Sequence, residues 1–212
     1  MPHDAPSRIA GVLLAGGQSR RMGGGDKCLR HLAGRPILAH IIDRARPQVG
    51  PLVLNANGDP ARFADFALPV TADAVGGFAG PLAGVLAGLE WAAAHAPECT
   101  HVASFACDAP FLPTDMVARL ATALEAARAD LACAASKGRS HPVFGLWPPR
   151  LAGALRRALI DEEIRKVDVW TARYRLVTVD FPVRETAVGP LDPFFNANHP
   201  DDLATAARFA DA

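Results

Sequence analysis

Short apolar runs alternate with longer amphipathic segments along this chain. Ile9–Leu14 is an unbroken apolar run, which is typical of a strand buried on both faces of a sheet. Similar short runs, bounded by Gly, Pro, Asn or Asp, predict further strands over residues 51–54, 69–71, 101–106, 131–135, 143–146 and 175–179. These runs therefore predict a buried central sheet.

Helical spacing lies between these runs. Leu82, Val85, Leu86 and Leu89 recur at i, i+3, i+4 and i+7, which predicts a helix with one buried stripe. Proline fits the first turn of a helix, because its missing N–H has no helical partner there. Further helices are therefore expected to begin near Pro36, Pro113, Pro148 and Pro200.

The order of these elements predicts the fold class. Strands separated by helices of about 10 to 15 residues form βαβ units, whose strands run parallel. We therefore expect an α/β protein with a three-layer, Rossmann-like fold and a mostly parallel central sheet. The chain has 212 residues and shows neither an internal repeat nor an interdomain linker, so residues 1–212 are expected to form a single domain.

A polar, glycine-rich loop follows the first strand directly. Gly16 and Gly17 end the apolar run, and the sequence QSRRMGGGDK continues as far as Lys27. Glycines let backbone N–H groups approach an anion closely, while Arg20, Arg21 and Lys27 add positive charge. The loop matches neither GxxxxGK[ST] nor GxGxxG. It is predicted to hold a polyphosphate, and the alternative is a solvated surface turn.

Composition narrows the classes of partner. Hydrophobic residues make up 50% of the chain, charged residues 21%, and the formal net charge is zero, which predicts a packed core and argues against a broad nucleic-acid surface. There is no apolar run of about 18 residues, so no membrane span is expected. The first residues, MPHDAPSR, lack the apolar region of a signal peptide. The four cysteines form no CxxC pair, which favours free or buried thiols in a reducing, cytoplasmic setting.

The fold class itself selects candidate site residues. In an open α/β sheet, ligands bind beyond the carboxyl ends of the strands. Asn55, Asp73 and Asp108 each follow an apolar run at that end. Asp108 is the candidate metal ligand, because Mg²⁺ near phosphates takes one or two carboxylates and completes its shell with phosphate and water. Two alternatives stay open: Asp108 caps the turn before Pro113, and Asp73 simply ends a strand.

Three residues in the second half of the chain are weaker candidates for binding a second substrate. Asn196 and Asn198 precede the last predicted helix, where an amide can contact a ligand or cap the helix. His141 lies at the edge of a predicted strand, where a histidine is more often structural.

Several motifs together support a family resemblance. The sequence carries LAGG at 14–17, SRRMGGGDK at 19–27, VLNAN at 53–57, GPLAG at 80–84, CDAPFLP at 107–113, HPVFGL at 141–146 and FFNANHPDDL at 194–203. The first two resemble the signature of a nucleotidyltransferase superfamily, and the combination with CDAPFLP and NANHP resembles the molybdenum cofactor guanylyltransferases. Ala109 and Ala197 depart from the family pattern, where Thr and a branched residue are usual, but neither change removes a charge or a proposed ligand.

The resemblance implies a nucleotidyltransferase fold and a GTP site. It places the following residues on GTP-binding positions, with Gly17 beside them: Leu14, Ala15, Gly16, Lys27, Asn55, Asp73 and Asp108. Asp108 also falls on the Mg²⁺ position. Relatives that use CTP resemble LAAG at the start, so Gly16 favours guanine. Lys27, Asp108 and Arg21 are the expected catalytic residues.

The implied reaction transfers GMP from GTP to the terminal phosphate of molybdenum-molybdopterin and releases pyrophosphate. The attacking phosphate is already an anion, so no general base is needed, and the chemical task is to neutralise repulsion with Mg²⁺, Lys27 and Arg21. The expected partners are GTP, molybdopterin and the molybdoenzymes or chaperones that receive the product, with no nucleic acid and no membrane. Two alternatives stay open: a transferase of the same fold using CTP or another phosphate acceptor, and a non-catalytic cofactor carrier.

Overall fold

The computed structural model describes residues 8–16, 26–76 and 80–210. The strands in these residues are β1 (Ile9–Leu14), β2 (His31–Leu32), β3 (Arg35–Pro36), β4 (Leu52–Asn55), β5 (Val70–Thr71), β6 (His101–Ala106), β7 (Leu131–Ser136), β8 (Arg139–Trp147), β9 (Leu176–Asp180), β10 (Arg184–Thr186) and β11 (Gly189–Leu191). The α-helices are α1 (Ile37–Ala45), α2 (Pro81–His95), α3 (Met116–Ala127), α4 (Ala152–Ile160), α5 (Val167–Thr171) and α6 (Pro200–Ala210).

Seven of the strands form the central sheet, in the order β5-β4-β1-β6-β8-β7-β9. Strands β5, β4, β1 and β6 pair in parallel, as do β7 and β9. Only β8 runs antiparallel to its neighbours β6 and β7 within this sheet. The mostly parallel α/β sheet expected from the sequence is therefore confirmed.

Alternating side chains of the sheet enter two separate cores. Leu13 and Leu54 belong to the core that contains side chains of α1, α3 and α6. Val12 and Val53 belong to the other core, with side chains of α2, α4 and α5. Strands buried on both faces need apolar residues at every position, which explains the unbroken run in β1. The sheet with helices on both faces gives the expected three layers.

Helix α2 is buried on more sides than its leucine stripe predicts. Besides the stripe, Ala83, Gly84, Ala87 and Gly88 are also buried. A Cβ atom at Gly88 would lie 2.7 Å from Val12 Cβ on strand β1, and one at Gly84 would lie 2.8 Å from Leu14 Cδ2. The small residues therefore let α2 lie directly against β1, which brings the start of the helix to the carboxyl end of that strand.

The start of α3 differs from the prediction. The helix begins at Met116 and not near Pro113, because a side chain from elsewhere defines its first turn. Gln48 accepts a hydrogen bond from the backbone N–H of Val117 at 2.9 Å and donates one to the carbonyl of Pro113 at 2.9 Å. An amide from a distant part of the chain thus caps the helix, which local sequence does not reveal.

Strand β8 is longer than predicted and belongs to a tight hairpin. It covers Arg139–Trp147, where the apolar run alone predicted 143–146. Lys137 and Gly138 form the connection with φ of +48° and +71°, which is typical of the two-residue turns that join antiparallel strands. The helix α5 and the hairpin of β10 and β11 lie in stretches where the apolar pattern predicted no element.

Cys28, Cys99, Cys107 and Cys133 are all buried and free. Among the described residues, no helix has both the length and the apolar character needed to cross a membrane.

Candidate active site

A cavity of about 570 Å³ lies at the carboxyl ends of β1, β4 and β6. This volume is within the range of small-molecule sites, about 300–1,000 Å³. Eight of the residues singled out from the sequence line it: Leu14, Ala15, Gly16, Lys27, Asn55, Asp73, Asp108 and Asn196. The structure thus brings together residues that are almost the length of the chain apart.

Lys27 and Asp108 meet on the lining of this cavity. The Nζ atom of Lys27 lies 2.9 Å from Oδ2 of Asp108, and the two side chains are 15% and 27% exposed. Lys27 sits at the start of a short 3-10 helix, Lys27–Leu29, and Asp108 follows β6. The chain after β1 and the chain after β6 therefore present opposite charges to each other inside a partly buried site.

The segment before α6 closes onto this pair. The side-chain oxygen of Asn198 accepts a hydrogen bond from Lys27 Nζ. The Asn196 amide, oriented with its nitrogen toward the carboxylate, donates to Asp108 Oδ1 at 3.2 Å. The backbone N–H of Ala197 donates to the Asp108 carbonyl at 2.9 Å. Both asparagines therefore contact the Lys27–Asp108 pair, and the Asp108 carboxylate is hydrogen-bonded to side chains from distant parts of the chain.

A second part of the cavity lining is built around Asp73. Asn55 Nδ2 donates to Asp73 Oδ1 at 3.0 Å, and Asn57 Nδ2 donates to Asp73 Oδ2 at 2.7 Å. The backbone N–H of Asp73 donates to Asn57 Oδ1 at 2.9 Å. A Cβ atom at Gly16 would lie 3.6 to 3.8 Å from these three side chains. Asp73 therefore carries a carboxylate that hydrogen bonds hold in place in the cavity lining. The backbone of Gly16 lies beside it without a close contact.

The N-terminus of α2 forms a third part of the lining. Gly80 precedes the helix with φ of +71°, a conformation that favours glycine, and Pro81 occupies its first turn. Gly80, Pro81 and Gly84 all line the cavity. Because the N-terminus of a helix carries partial positive charge, this end of α2 favours anions in the cavity.

Arg62 was not among the residues selected from the sequence. Its guanidinium forms an ion pair with Asp26 and donates to the backbone carbonyls of Asn57 and Asp59. Asn57 was likewise missed as a separate candidate. Both follow β4 in a stretch rich in turn-forming residues, so the strand-end rule reached the right region but selected only Asn55 within it.

His141 does not line the cavity but belongs to a hydrogen-bonded cluster behind it. Its Nε2 lies 2.8 Å from Ser136 Oγ, and Ser136 Oγ donates to Asp192 Oδ1 at 2.8 Å. Asp192 Oδ1 also accepts from the backbone N–H of Phe194 at 3.0 Å. Burial lowers the pKa of His141 despite the nearby Asp192, and Arg139 lowers it further. The cluster thus anchors the start of the segment that carries the two asparagines.

The two cysteines of the cavity lining are not candidate nucleophiles. Burial, with a further contribution from Asp26, raises the pKa of Cys28 to about 12. Burial also raises the pKa of Cys107 well above the usual thiol range. A thiol is nucleophilic only as the thiolate. Both residues therefore act as small apolar groups in the cavity lining.

Gly17 and Arg21 lie outside the described residues, as does most of the glycine-rich loop. The described residues resume at Asp26, and Lys27 directly after it lies beside Asp108. Within the described residues, the polar part of the site includes Lys27, Asp108 and the residues around Asp73.

The carboxylate of Asp108 is an oxygen ligand of the type that a hard divalent cation such as Mg²⁺ takes. Within the described ranges, no group of three or more His, Cys, Asp or Glu side chains forms a closed metal cage. Mg²⁺ near phosphates takes only one or two protein carboxylates and completes its shell with phosphate and water, so a closed cage is not needed at this site.

Comparison with known proteins places this site in a class. The MobA-like NTP transferase domain model matches residues 11–174, so the chain carries a nucleotidyltransferase domain of that class. A molybdenum cofactor guanylyltransferase from Bradyrhizobium sp. (strain ORS 278) is 58% identical over 210 residues, covering 99% of this chain and 97% of the relative. Another from Rhodopseudomonas palustris (strain BisB5) is 60% identical over 207 residues, covering 98% and 96%. The chain belongs to the molybdenum cofactor guanylyltransferase family.

Solved structures agree on the fold. A molybdopterin-guanine dinucleotide biosynthesis protein A from Archaeoglobus fulgidus superposes with a TM-score of 0.70 at 24% identity, covering 95% of this chain and 98% of that one. A 4-diphosphocytidyl-2C-methyl-D-erythritol synthase from Anaerococcus prevotii superposes with a TM-score of 0.72 at 11% identity, covering 97% of both chains. The fold is therefore shared by proteins whose names indicate different products.

Proposed function

We propose that this protein transfers GMP from GTP to the terminal phosphate of molybdopterin, with release of pyrophosphate. The observation that carries the proposal is the Lys27–Asp108 pair, 2.9 Å apart on the wall of a cavity at the strand ends. The names of the close relatives give the acceptor and the nucleotide, and the family membership makes both apply here.

Lys27 neutralises phosphate charge in this proposal. Two unit charges 4 Å apart repel by about 1 kcal/mol in water and by about 4 kcal/mol at an effective dielectric constant near 20, so the approach of two phosphates needs compensating cations. The Lys27 ammonium has three N–H donors, and Asp108 and Asn198 take two of them within the described chain. The third donor is directed by these two contacts and serves the triphosphate.

Asp108 is the proposed ligand of Mg²⁺. The ion supplies charge neutralisation and orientation of the phosphate oxygens when it is bound. Asn196 and the backbone of Ala197 hold the Asp108 side chain and carbonyl in place, so the carboxylate is presented to the cavity in one orientation. The attacking phosphate is an anion, and no protein base takes part.

Asp73 is the proposed contact to the guanosine part of GTP. Guanine presents adjacent N1–H and N2–H₂ donors, and a carboxylate can accept from both. The hydrogen bonds from Asn55 and Asn57 fix the plane of this carboxylate. Cytosine lacks this pair of donors, so this contact favours GTP over CTP.

A nucleotide panel tests the proposal. Purified protein with molybdopterin and Mg²⁺ is given GTP, ATP, CTP or UTP, and pyrophosphate release is measured with formation of the dinucleotide product. We expect turnover with GTP and at least tenfold lower kcat/KM with the others. A preference for CTP, or tight GTP binding without pyrophosphate, would contradict the proposal. Titration with EDTA in the same assay checks the requirement for a divalent ion.

A further inference from the structure

We propose that Arg62 is a positioning residue that fixes the position of Lys27, the proposed phosphate contact, relative to Asp73, the proposed nucleoside contact. The inference rests on the proposed GTP site and deepens it. Arg62 itself is not among the residues that line the cavity. It acts through Asp26, which precedes Lys27, and through Asn57, which holds Asp73.

The guanidinium bridges two separate stretches of chain. Its Nε and Nη2 atoms donate to the two carboxylate oxygens of Asp26, the second at 3.4 Å. Its Nη1 donates to the carbonyl of Asp59 at 2.6 Å, and Nη2 also donates to the carbonyl of Asn57. Four hydrogen bonds from one planar group leave few alternative orientations.

The first stretch carries the phosphate-binding cation. Asp26 is the N-cap residue of the short helix Lys27–Leu29, and its carbonyl accepts the N–H of Leu29 at 3.1 Å. Because Lys27 follows Asp26 directly, the Arg62–Asp26 ion pair restrains the backbone from which the Lys27 side chain reaches Asp108.

The second stretch carries the nucleoside contact. The carbonyl of Asn57 accepts from Arg62, while its side chain makes the paired hydrogen bonds to Asp73. Gly58, with φ of +84°, leaves room for the guanidinium, since a Cβ there would lie 3.1 Å from Arg62 Nη1. The turn at Gly58 thus allows the carbonyl of Asn57 to accept a hydrogen bond from Arg62.

The anchor of Arg62 is itself rigid. Arg62 lies in the 3-10 helix Pro60–Phe66, whose first turn is capped by Asp59 accepting from the N–H of Ala61 at 2.9 Å. Its neighbour Phe63 is buried in the core, with the guanidinium carbon 4.7 Å from the ring centroid. The link therefore runs from the core to both ends of the proposed nucleotide site.

Arg62→Lys tests the proposal, because it keeps the charge but loses the planar fork. Misplacement of reacting groups by about 1 Å costs about 100-fold in rate, so we expect kcat with GTP to fall by about 10- to 100-fold. Arg156→Lys is the matched control, since Arg156 makes a similar forked ion pair with Glu90 outside the site. Its kcat should stay within about twofold of the parent, and thermal midpoints of both variants should stay close to that of the parent.

A double-mutant cycle separates positioning from general stability. If Arg62 acts through Lys27, Arg62→Lys should cost less than about threefold in a Lys27→Ala background. If Arg62→Lys lowers kcat by the same factor in the Lys27→Ala background as in the wild type, the proposal is overturned. It is also overturned if the Arg62→Lys variant regains full activity at lower temperature, because its defect would then be one of stability. Should Arg62→Lys fail to fold, Asp26→Asn removes the same ion pair and is expected to lower kcat in the same way.

Calorimetric GTP binding keeps this test separate from the proposed reaction. Wild-type protein that binds GTP but forms no pyrophosphate would contradict the reaction alone. In that case Arg62→Lys should still weaken GTP binding at least tenfold, while Arg156→Lys should not. For a protein that only binds GTP, equal affinity in the Arg62→Lys variant and the wild type would overturn the role of Arg62.

Discussion

At the scale of single residues, Lys27 is the cation that the proposed site depends on. Its ammonium is partly buried and lies between the carboxylate of Asp108, from the middle of the chain, and the amide oxygen of Asn198, from near its end. Lys27 also helps to hold Asp108 and Asn198, so replacing it changes both the charge of the site and the positions of these two side chains.

Lys27→Ala should reduce kcat with GTP by about 100- to 1,000-fold, in the range seen when a transition-state donor is removed. Lys137→Ala is a control, because Lys137 is exposed in the turn between β7 and β8. Steady-state pyrophosphate release measures both. Unchanged turnover in the Lys27 variant would contradict its assignment.

Asp108→Asn separates the two interpretations of this carboxylate. If Asp108 is the Mg²⁺ ligand, the variant should lose pyrophosphate release and its response to Mg²⁺, while its thermal midpoint changes little. The amide keeps the side-chain shape, and the backbone bond from Ala197 to the Asp108 carbonyl stays. A collapse of the thermal midpoint with Mg²⁺ dependence intact would favour a structural role instead.

Asp73→Asn tests base recognition. In the parent protein, GTP should be preferred over ITP, which lacks the N2 amino group, and the variant should lose most of that preference. Because one base contact of this kind contributes about 1–3 kcal/mol of discrimination, the expected change is about 5- to 150-fold in relative kcat/KM. If the variant instead loses its preference for GTP over 2′-deoxy-GTP, Asp73 contacts the ribose.

At the scale of elements, the contact of α2 with β1 aligns the helix N-terminus with the cavity. Gly88→Ala should destabilise the protein by about 1–3 kcal/mol, because the new methyl group has to displace Val12 or the helix. Gly153→Ala on α4 is the matched control. Its Cβ would meet only Arg157 Nη1 at 3.9 Å, so a neutral effect or a gain of up to about 1 kcal/mol is expected. Urea unfolding measures both.

The segment from Asp192 to Asn198 is the second element that decides the site. Asp192→Ala removes the acceptor of Ser136 and of the Phe194 N–H, so the two asparagines lose their upstream anchor. We expect kcat to fall by about 10- to 100-fold, with partial recovery in Asp192→Asn, which still offers an acceptor oxygen. Asp201→Ala, at the exposed start of α6, should leave kcat unchanged.

Sequence reasoning located the strands and their ends better than the contacts between side chains. The bounds of β1 and β6 match their apolar runs, and the strand-end rule selected Asn55, Asp73 and Asp108, which the structure brings to one cavity. The roles of these residues in binding remain predictions.

What the sequence could not provide were partners set by tertiary packing. Arg62 is one of many surface-type arginines until the fold brings Asp26 to it, and Gln48 caps α3 only because a distant turn lies beside it. Ser136 shows no signal at all before Asp192 is placed against it. Hydrogen bonds between distant residues leave no periodicity or spacing to detect.

At the scale of the whole molecule, two half-buried histidines predict a dependence of stability on pH. Burial lowers the pKa of His101 and His141 in the folded protein. The unfolded chain therefore binds more protons as the pH falls below about 6.5, and the free energy of unfolding should decrease toward acid. The stabilising contribution is complete above that pH and is lost between it and the lower folded-state values.

Urea unfolding at pH 7.5 and pH 5.5 checks this dependence. The wild type should lose more stability between the two values than His101→Gln, which has no ring to protonate. If both proteins show the same loss, His101 does not contribute, and the acid sensitivity comes from other groups.

The placement of Asn196 and Asn198 has a consequence for how the protein matures on the ribosome. A growing chain that has emerged as far as β9 contains every strand of the central sheet, yet it still lacks both amides that hold Lys27 and Asp108. The scaffold can thus be assembled before the site is complete. If GTP binds as proposed, a nascent polypeptide is expected to bind it productively only after translation has delivered the segment with Asn196 and Asn198.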